Sequence, residues 1–246
     1  NLNNVYNVLD ATNSTNENCA LGNLNLTLIG ENLTVQDSAV LSKGVADVPI
    51  APVYKDLSLT ASFGSASYNK TSSLLGDFAI LAELISAAGE NGVVNLDRNY
   101  NYIIGADTGN SGIMVSLKNL TINGNGFTVN ANGKSRIFDI ENAHNLTIKN
   151  ITLTNGYSNE HGGAIYWKGA KYATIRDTII KNSHSNSQGG AIYLNSGINK
   201  RFINVTFMNN TALTGGALAF MDQQSGDSNL IYGSTFVNNS ASSSLG

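Results

Sequence analysis

Few residues in this chain are placed to do chemistry. Asp139 and Glu141 stand two apart, so a strand would carry both carboxylates on one face, with Arg136 close by. That trio is the best catalytic candidate. Its alternative is a solvated, charged turn. Glu160 and His161 are adjacent and form a candidate acid–base pair, or an exposed loop dipeptide. His144 and His184 are too far apart in the coil pattern to share a metal. Gly124-Asn125-Gly126 has no helix pattern after it, so it reads as a turn and not a phosphate cradle. Cys19 is the single cysteine and gives no disulfide framework. No cofactor and no metal site is expected.

Composition narrows the classes further. The net charge is -3 and only 13% of the 246 residues are charged, which speaks against a nucleic-acid partner. No run approaches the ~20 apolar residues of a membrane span, so no membrane insertion is expected within this segment. The first residue is Asn1, which suggests a piece of a longer protein. With 36 Asn and 43 Ser plus Thr, chance gives roughly six Asn-x-Ser/Thr triplets. Ten occur, at Asn13, Asn25, Asn32, Asn69, Asn119, Asn145, Asn150, Asn204, Asn209 and Asn238. Each is a candidate glycosylation site.

The elements that must position these residues are repeats. Gly162-Gly163-Ala164-Ile165-Tyr166 returns as Gly189-Gly190-Ala191-Ile192-Tyr193 and, loosened, as Gly215-Gly216-Ala217-Leu218-Ala219. A second phrase, Thr178 to Asn182, returns at Thr206 to Asn210 and at Thr235 to Asn239. Ile122, Ile148, Ile175, Ile203 and Ile231 recur at 26, 27, 28 and 28 residues. Short alternating strands at that period predict an all-β solenoid of about six coils over 93–246. Leu74, Leu75, Phe78, Leu81, Ala82 and Ile85 form one stripe at helical spacing. They predict a helix over 73–88 that covers the N-terminal end of the core, capped by Ser72 or Ser73 and closed at Gly89. Residues 53–92 are read as a strand, Leu57 to Phe63, followed by that helix. Leu24–Ile29 and Asn32–Val35 alternate like a hairpin in an Asn-rich segment, 1–52. Pro49 and Pro52 mark the expected boundary.

Register assigns faces. Ile165, Ile192 and Leu218 should stack inward, as should Trp167, Leu194 and Phe220. Ile179, Phe207 and Phe236 are also expected inside. Asn155, Asn182, Asn210 and Asn239 should form one amide ladder. Tyr166 and Tyr193 then point outward, one coil apart, as a candidate aromatic strip for sugar rings. The alternative is a cross-strand pair that stabilises the sheet.

The block Gly-Gly-Ala-Ile/Leu with Phe-x-x-Asn (Phe207 to Asn210, Phe236 to Asn239) resembles the repeat pair of the chlamydial polymorphic outer-membrane proteins. The wider pattern is similar to the adhesin-like surface proteins of methanogenic archaea. It covers Leu120 to Gly126, Ser135 to Ile140, Leu146 to Asn150 and Gly162 to Trp167. The resemblance spans roughly residues 73 to 246. It implies an extracellular right-handed parallel β-helix with a capping helix, held at a cell surface. Its partner would be a glycan or protein of another cell. The expected function is therefore a non-catalytic adhesin module. The alternatives are a β-helix polysaccharide lyase or hydrolase and a purely structural stalk.

Overall fold

The computed structural model describes the backbone of residues 4–7, 23–30, 33–40, 47–50, 57–63 and 66–72, and residues 76–222 and 226–243 in full. The chain divides into two compact units, Asn1–Leu75 and Gly76–Gly246. In the first, strands Leu33–Val40, Asn23–Gly30, Leu57–Phe63 and Ala66–Ser72 form an antiparallel sheet in that order. Asn4–Asn7 pairs with Asp47–Ile50, where Pro49 lies opposite Val5. The units part after Leu75 and not at Pro49–Pro52, because Leu57–Phe63 pairs back onto Asn23–Gly30. A proline in a two-stranded pair removes one donor without ending the pairing.

The second unit is a right-handed parallel β-helix of about five turns behind one short helix. One sheet stacks Val93–Asn95, Thr121–Asn123, Thr147–Thr154, Thr174–Lys181, Arg201–Met208 and Leu230–Tyr232. A second stacks Ile113–Val115, Phe138–Glu141, Ile165–Lys168, Ile192–Asn195 and Leu218–Met221. A third stacks Tyr157–Ser158, His184–Gln188, Thr211–Thr214 and Ser240–Ala241. The expected columns Ile165–Ile192–Leu218 and Trp167–Leu194–Phe220 are in register, and Ile165, Trp167, Ile192 and Leu194 are wholly buried. Each such side chain contributes about 1.5–3 kcal/mol by leaving water.

The double glycine turns three of the coils into the second sheet. Gly162, Gly189 and Gly215 have φ of 68°, 71° and 62°, values that favour glycine. A Cβ on Gly163 would lie 2.2 Å from the Gly190 carbonyl oxygen, so the second glycine gives room for the next coil.

The helix runs Asp77–Ala88 and buries Phe78, Leu81 and Ile85 in the same core. Its cap is not a local serine: Gly76 is the N-cap residue and makes no side-chain cap bond. Instead Ala79 N–H donates to Asp107 Oδ1 at 3.0 Å, from 28 residues away. The same carboxylate accepts from Ile103 N–H at 2.7 Å. Asp107 sits where a Cβ on Gly76 would fall. Asp77, also buried, accepts from Arg98 and from Asn101 N–H.

Three columns depart from the sequence reading. Ile175 pairs with Phe202, and Phe202 with Ile231, so Phe202 and not Ile203 continues the isoleucine column. Ile180, wholly buried, aligns with Phe207 and Phe236, while Ile179 is 40% exposed. A one-residue slip exchanges the two faces of a strand. The single asparagine ladder is two columns. Asn209 donates to Asn182 on the outside at 3.3 Å. Asn210, buried, donates to the Ile180 carbonyl and to Asn239, and accepts from Ser183 N–H. Asn155 instead donates to Asn130.

Candidate functional site

The two catalytic candidates of the sequence belong to one patch, joined by Arg136. Asp139 faces outward on Phe138–Glu141, opposite Tyr166 in the next coil. Arg136 enters the same strand from its turn. Its guanidinium lies over the Tyr166 ring, 5.2 Å from the centroid. Arg136 Nε donates to the His161 carbonyl at 2.8 Å, and its Nη2 lies 3.7 Å from Glu160 Oε2. Glu160 therefore partners Arg136 and not its neighbour His161. The loop is pinned from beneath, where Ser185 Oγ and Ser187 N–H both donate to the Glu160 carbonyl.

Burial sets the electrostatics. Desolvation raises the Asp139 carboxyl above its ordinary value, aided by Glu141 and opposed by Arg136 and Lys168. Desolvation lowers the His161 imidazole, aided by Arg136 and opposed by Glu160. Both side chains keep a buried polar atom without a hydrogen-bond partner, Asp139 Oδ1 and His161 Nδ1. Glu141, two residues on, is 3.9 Å from Lys168 of the next coil. The patch thus offers a guanidinium, a desolvated carboxyl and a neutral-leaning imidazole on a rigid sheet. Those groups can bind hydroxyls, and a raised carboxyl can also donate a proton.

The tyrosine rings face each other and not solvent. Tyr166 and Tyr193 point away from the core, but their rings stack on each other at 5.5 Å and 15°. His161 stacks on Tyr193 at 4.3 Å, leaving Tyr193 only 6% exposed. Arg136 covers Tyr166 from the preceding coil. Ring faces that look along the axis are spent on their neighbours, so a ligand there meets ring edges and the polar groups beside them. Burial also pushes the Tyr193 hydroxyl up, with Tyr166 and Asp222 acting in the same sense.

His184 bonds Thr211 and Asn186 and stacks with Tyr157, whereas His144 meets Tyr172 at a tilt in another column. No cluster of three or more His, Cys, Asp or Glu able to hold a metal occurs among the described residues. No helix among them is long and apolar enough to cross a membrane. Cys19 lies outside the described residues.

Six of the ten sequons share one backbone geometry. Asn119, Asn145, Asn150, Asn204, Asn209 and Asn238 all have φ between 50° and 55°. Asparagine takes that conformation more readily than most residues. At five of the six the next residue is buried (Leu120, Leu146, Ile151, Val205 and Asn210), and a Thr facing outward follows. A turn asparagine, an inward residue and an outward threonine spell the triplet by themselves. Asn119, Asn145, Asn204 and Asn209 also donate along ladders, to Asn91, Asn119, Asp177 and Asn182. Asn25 and Asn69 lie in strands of the first unit, and Asn13 and Asn32 outside the described residues.

Tyr172 is the residue that the sequence reading passed over. It stands at φ 54°, where Asn119, Asn145 and Asn199 stand in neighbouring coils. The signal was the break in that asparagine column, legible only once the register is known.

The class that this geometry defines is a parallel β-helix with an outward polar patch. No family model matches the chain, and no curated protein matches it. A crystal structure from Parabacteroides merdae, of a protein provisionally named a glycosyl hydrolase, is similar at 12% identity and a TM-score of 0.37. The match covers 65% of this chain and 86% of that one. Likeness at that level carries no statement about activity.

Proposed function

We propose that the chain is an extracellular, non-catalytic attachment module of a cell surface. It binds a glycan or protein of another cell through the Arg136–Asp139–His161 patch. The observation that carries this reading is the pair of buried, unpartnered atoms, Asp139 Oδ1 and His161 Nδ1, beside a fixed guanidinium. An unsatisfied buried polar group costs about 1–3 kcal/mol, which a ligand's hydroxyl or amide would offset. The repeat resemblance at Gly162 to Trp167 and Phe207 to Asn210 supports the surface setting. A glycan array and a cell-binding assay test it. The expected result is binding to a restricted ligand set, weakened about ten-fold in Asp139→Asn, a loss of roughly 1.4 kcal/mol. Absence of binding in both assays would leave a structural stalk. Intact mass of natively produced protein tests glycosylation: a mass equal to the bare polypeptide removes it.

One observation favours a second reading, a polysaccharide hydrolase or lyase. The raised Asp139 carboxyl is what a general acid requires. Release of reducing ends or unsaturated sugars from pectin-like polymers, abolished in Asp139→Ala, would establish it. No release by wild type would remove it.

A further inference from the structure

A second constellation lies past the other end of strand Ile165–Lys168. Tyr172 takes the place of asparagine in a turn column, Asn91, Asn119, Asn145 and Asn199, whose members all have φ between 53° and 64°. For a bulky ring this conformation is an outlier, and such outliers persist where the surroundings hold them, often at functional sites. Tyr172 is nevertheless 48% exposed. It meets His144 at 5.3 Å between ring centroids, tilted by 57°.

The neighbours of this ring are basic. Lys118, His144 and Lys171 pair in one column, one per coil, spaced by about 4.8 Å. Lys149 lies opposite Arg176 on the outer face of the adjoining sheet, and Arg201 opposite Thr174. Five cationic side chains thus meet two acids, Glu90 at 3.7 Å from Lys118 and Asp177 at 2.6 Å from Arg176. Lys149, Lys171 and Arg201 form no ion pair among the described residues. The Glu141–Lys168 pair borders the face and is neutral as a pair. Residues 76–246 carry 11 basic and 11 acidic side chains, so the surplus is local to this face.

We propose that this face binds an anionic polysaccharide laid along the solenoid, with a sugar ring against Tyr172 and its acid groups on the Lys118–His144–Lys171 column and on Lys149 and Arg176. Lys118 and Lys171 two rungs apart, beside Lys149 and Arg176 on adjacent rungs, suit a polymer that carries anionic groups along its length. An exposed aromatic face beside them suits a pyranose. The whole chain's net charge of -3 disfavours the denser charge of a polynucleotide. The site needs neither Asp139 nor His161, so it stands or falls apart from the patch above.

The test is equilibrium binding of the full chain to polygalacturonate, to heparin and to neutral dextran at low and high salt. Binding to polygalacturonate alone identifies carboxylates as the ligand groups, and binding to heparin alone identifies sulfates. Either, or both, supports the proposal when salt weakens it and dextran does not bind. Tyr172→Asn restores the residue of the neighbouring coils, so its melting temperature should equal or exceed that of wild type. Its affinity should fall about ten-fold or more. Lys149→Ala with Lys171→Ala should weaken binding and flatten its salt dependence. The proposal is overturned by no binding to either polyanion, by equal binding to dextran, by wild-type affinity in Tyr172→Asn, or by equally tight binding of single-stranded DNA.

Discussion

The Tyr166–Tyr193 column and the Tyr172 turn use the same side chain to opposite ends. In the column the two rings, one coil apart, stack on each other and His161 stacks on Tyr193, which is 6% exposed. In the turn the coils before and after offer asparagines, and Tyr172 stays 48% exposed at a backbone angle that does not suit it. A solenoid consumes whatever it repeats, because identical groups one rung apart bond or stack with each other. Groups left over for a ligand therefore sit where a column breaks. Tyr172 breaks an asparagine column. The Asp139 carboxyl breaks an outward column of Met114, Tyr166 and Tyr193.

A third break lies inside the core and gives the largest expected effect. Lys200 occupies the column of Leu120, Leu146 and Ala173, wholly buried, and its Nζ donates to the Ser196 and Gly197 carbonyls and to Asp227 at 3.3 Å. Asp227→Ala should cost about 3–5 kcal/mol in urea unfolding, because a buried charge loses its partner. Lys200→Leu with Asp227→Ala should recover most of that loss. Burial works to raise the Asp227 carboxyl, but the Asn199 N–H, Asn229 and Lys200 hold it below its ordinary value. Its stabilisation is thus present above the ordinary carboxylate range and lost as pH falls through the lowered value. The Asp227→Ala protein should lack that part of the acid transition.

The tyrosine comparison itself gives the next effects. Tyr193→Ala should cost about 3 kcal/mol, the usual loss for a buried aromatic, and should loosen the His161 loop. Tyr172→Asn should instead add about 1 kcal/mol by relieving the left-handed backbone. Urea midpoints of the two proteins measure both.

The smallest effect belongs to Asp139. Its raised carboxyl favours the protonated folded state, so its contribution is full below the ordinary carboxylate range and falls as pH rises through the raised value. Asp139→Asn should flatten stability against pH across that window, and a pH series of melting temperatures reads it.

Periodicity made the solenoid, the Ile165 and Trp167 columns and the covering helix legible in the sequence, because each follows from spacing alone. It did not locate the helix cap, since Asp107 reaches Ala79 N–H across 28 residues. It misread Thr178-Ile179-Ile180, where two adjacent isoleucines give no alternation to choose between faces. It treated Arg136–Asp139 and Glu160–His161 as separate, because the guanidinium that joins them spans 25 residues. It singled out Tyr166 and Tyr193 and passed over Tyr172, because repetition is visible in a sequence, whereas the penalty of a positive φ appears only with the register.

The most direct measurement is a paired one on Tyr172→Asn: its urea midpoint and its affinity for the polyanion that wild type binds. If function sits where the ladder breaks, the protein unfolds at the same or higher urea and its affinity falls about ten-fold or more. A protein that binds as wild type does, or that unfolds earlier, would mean that Tyr172 belongs to the scaffold after all.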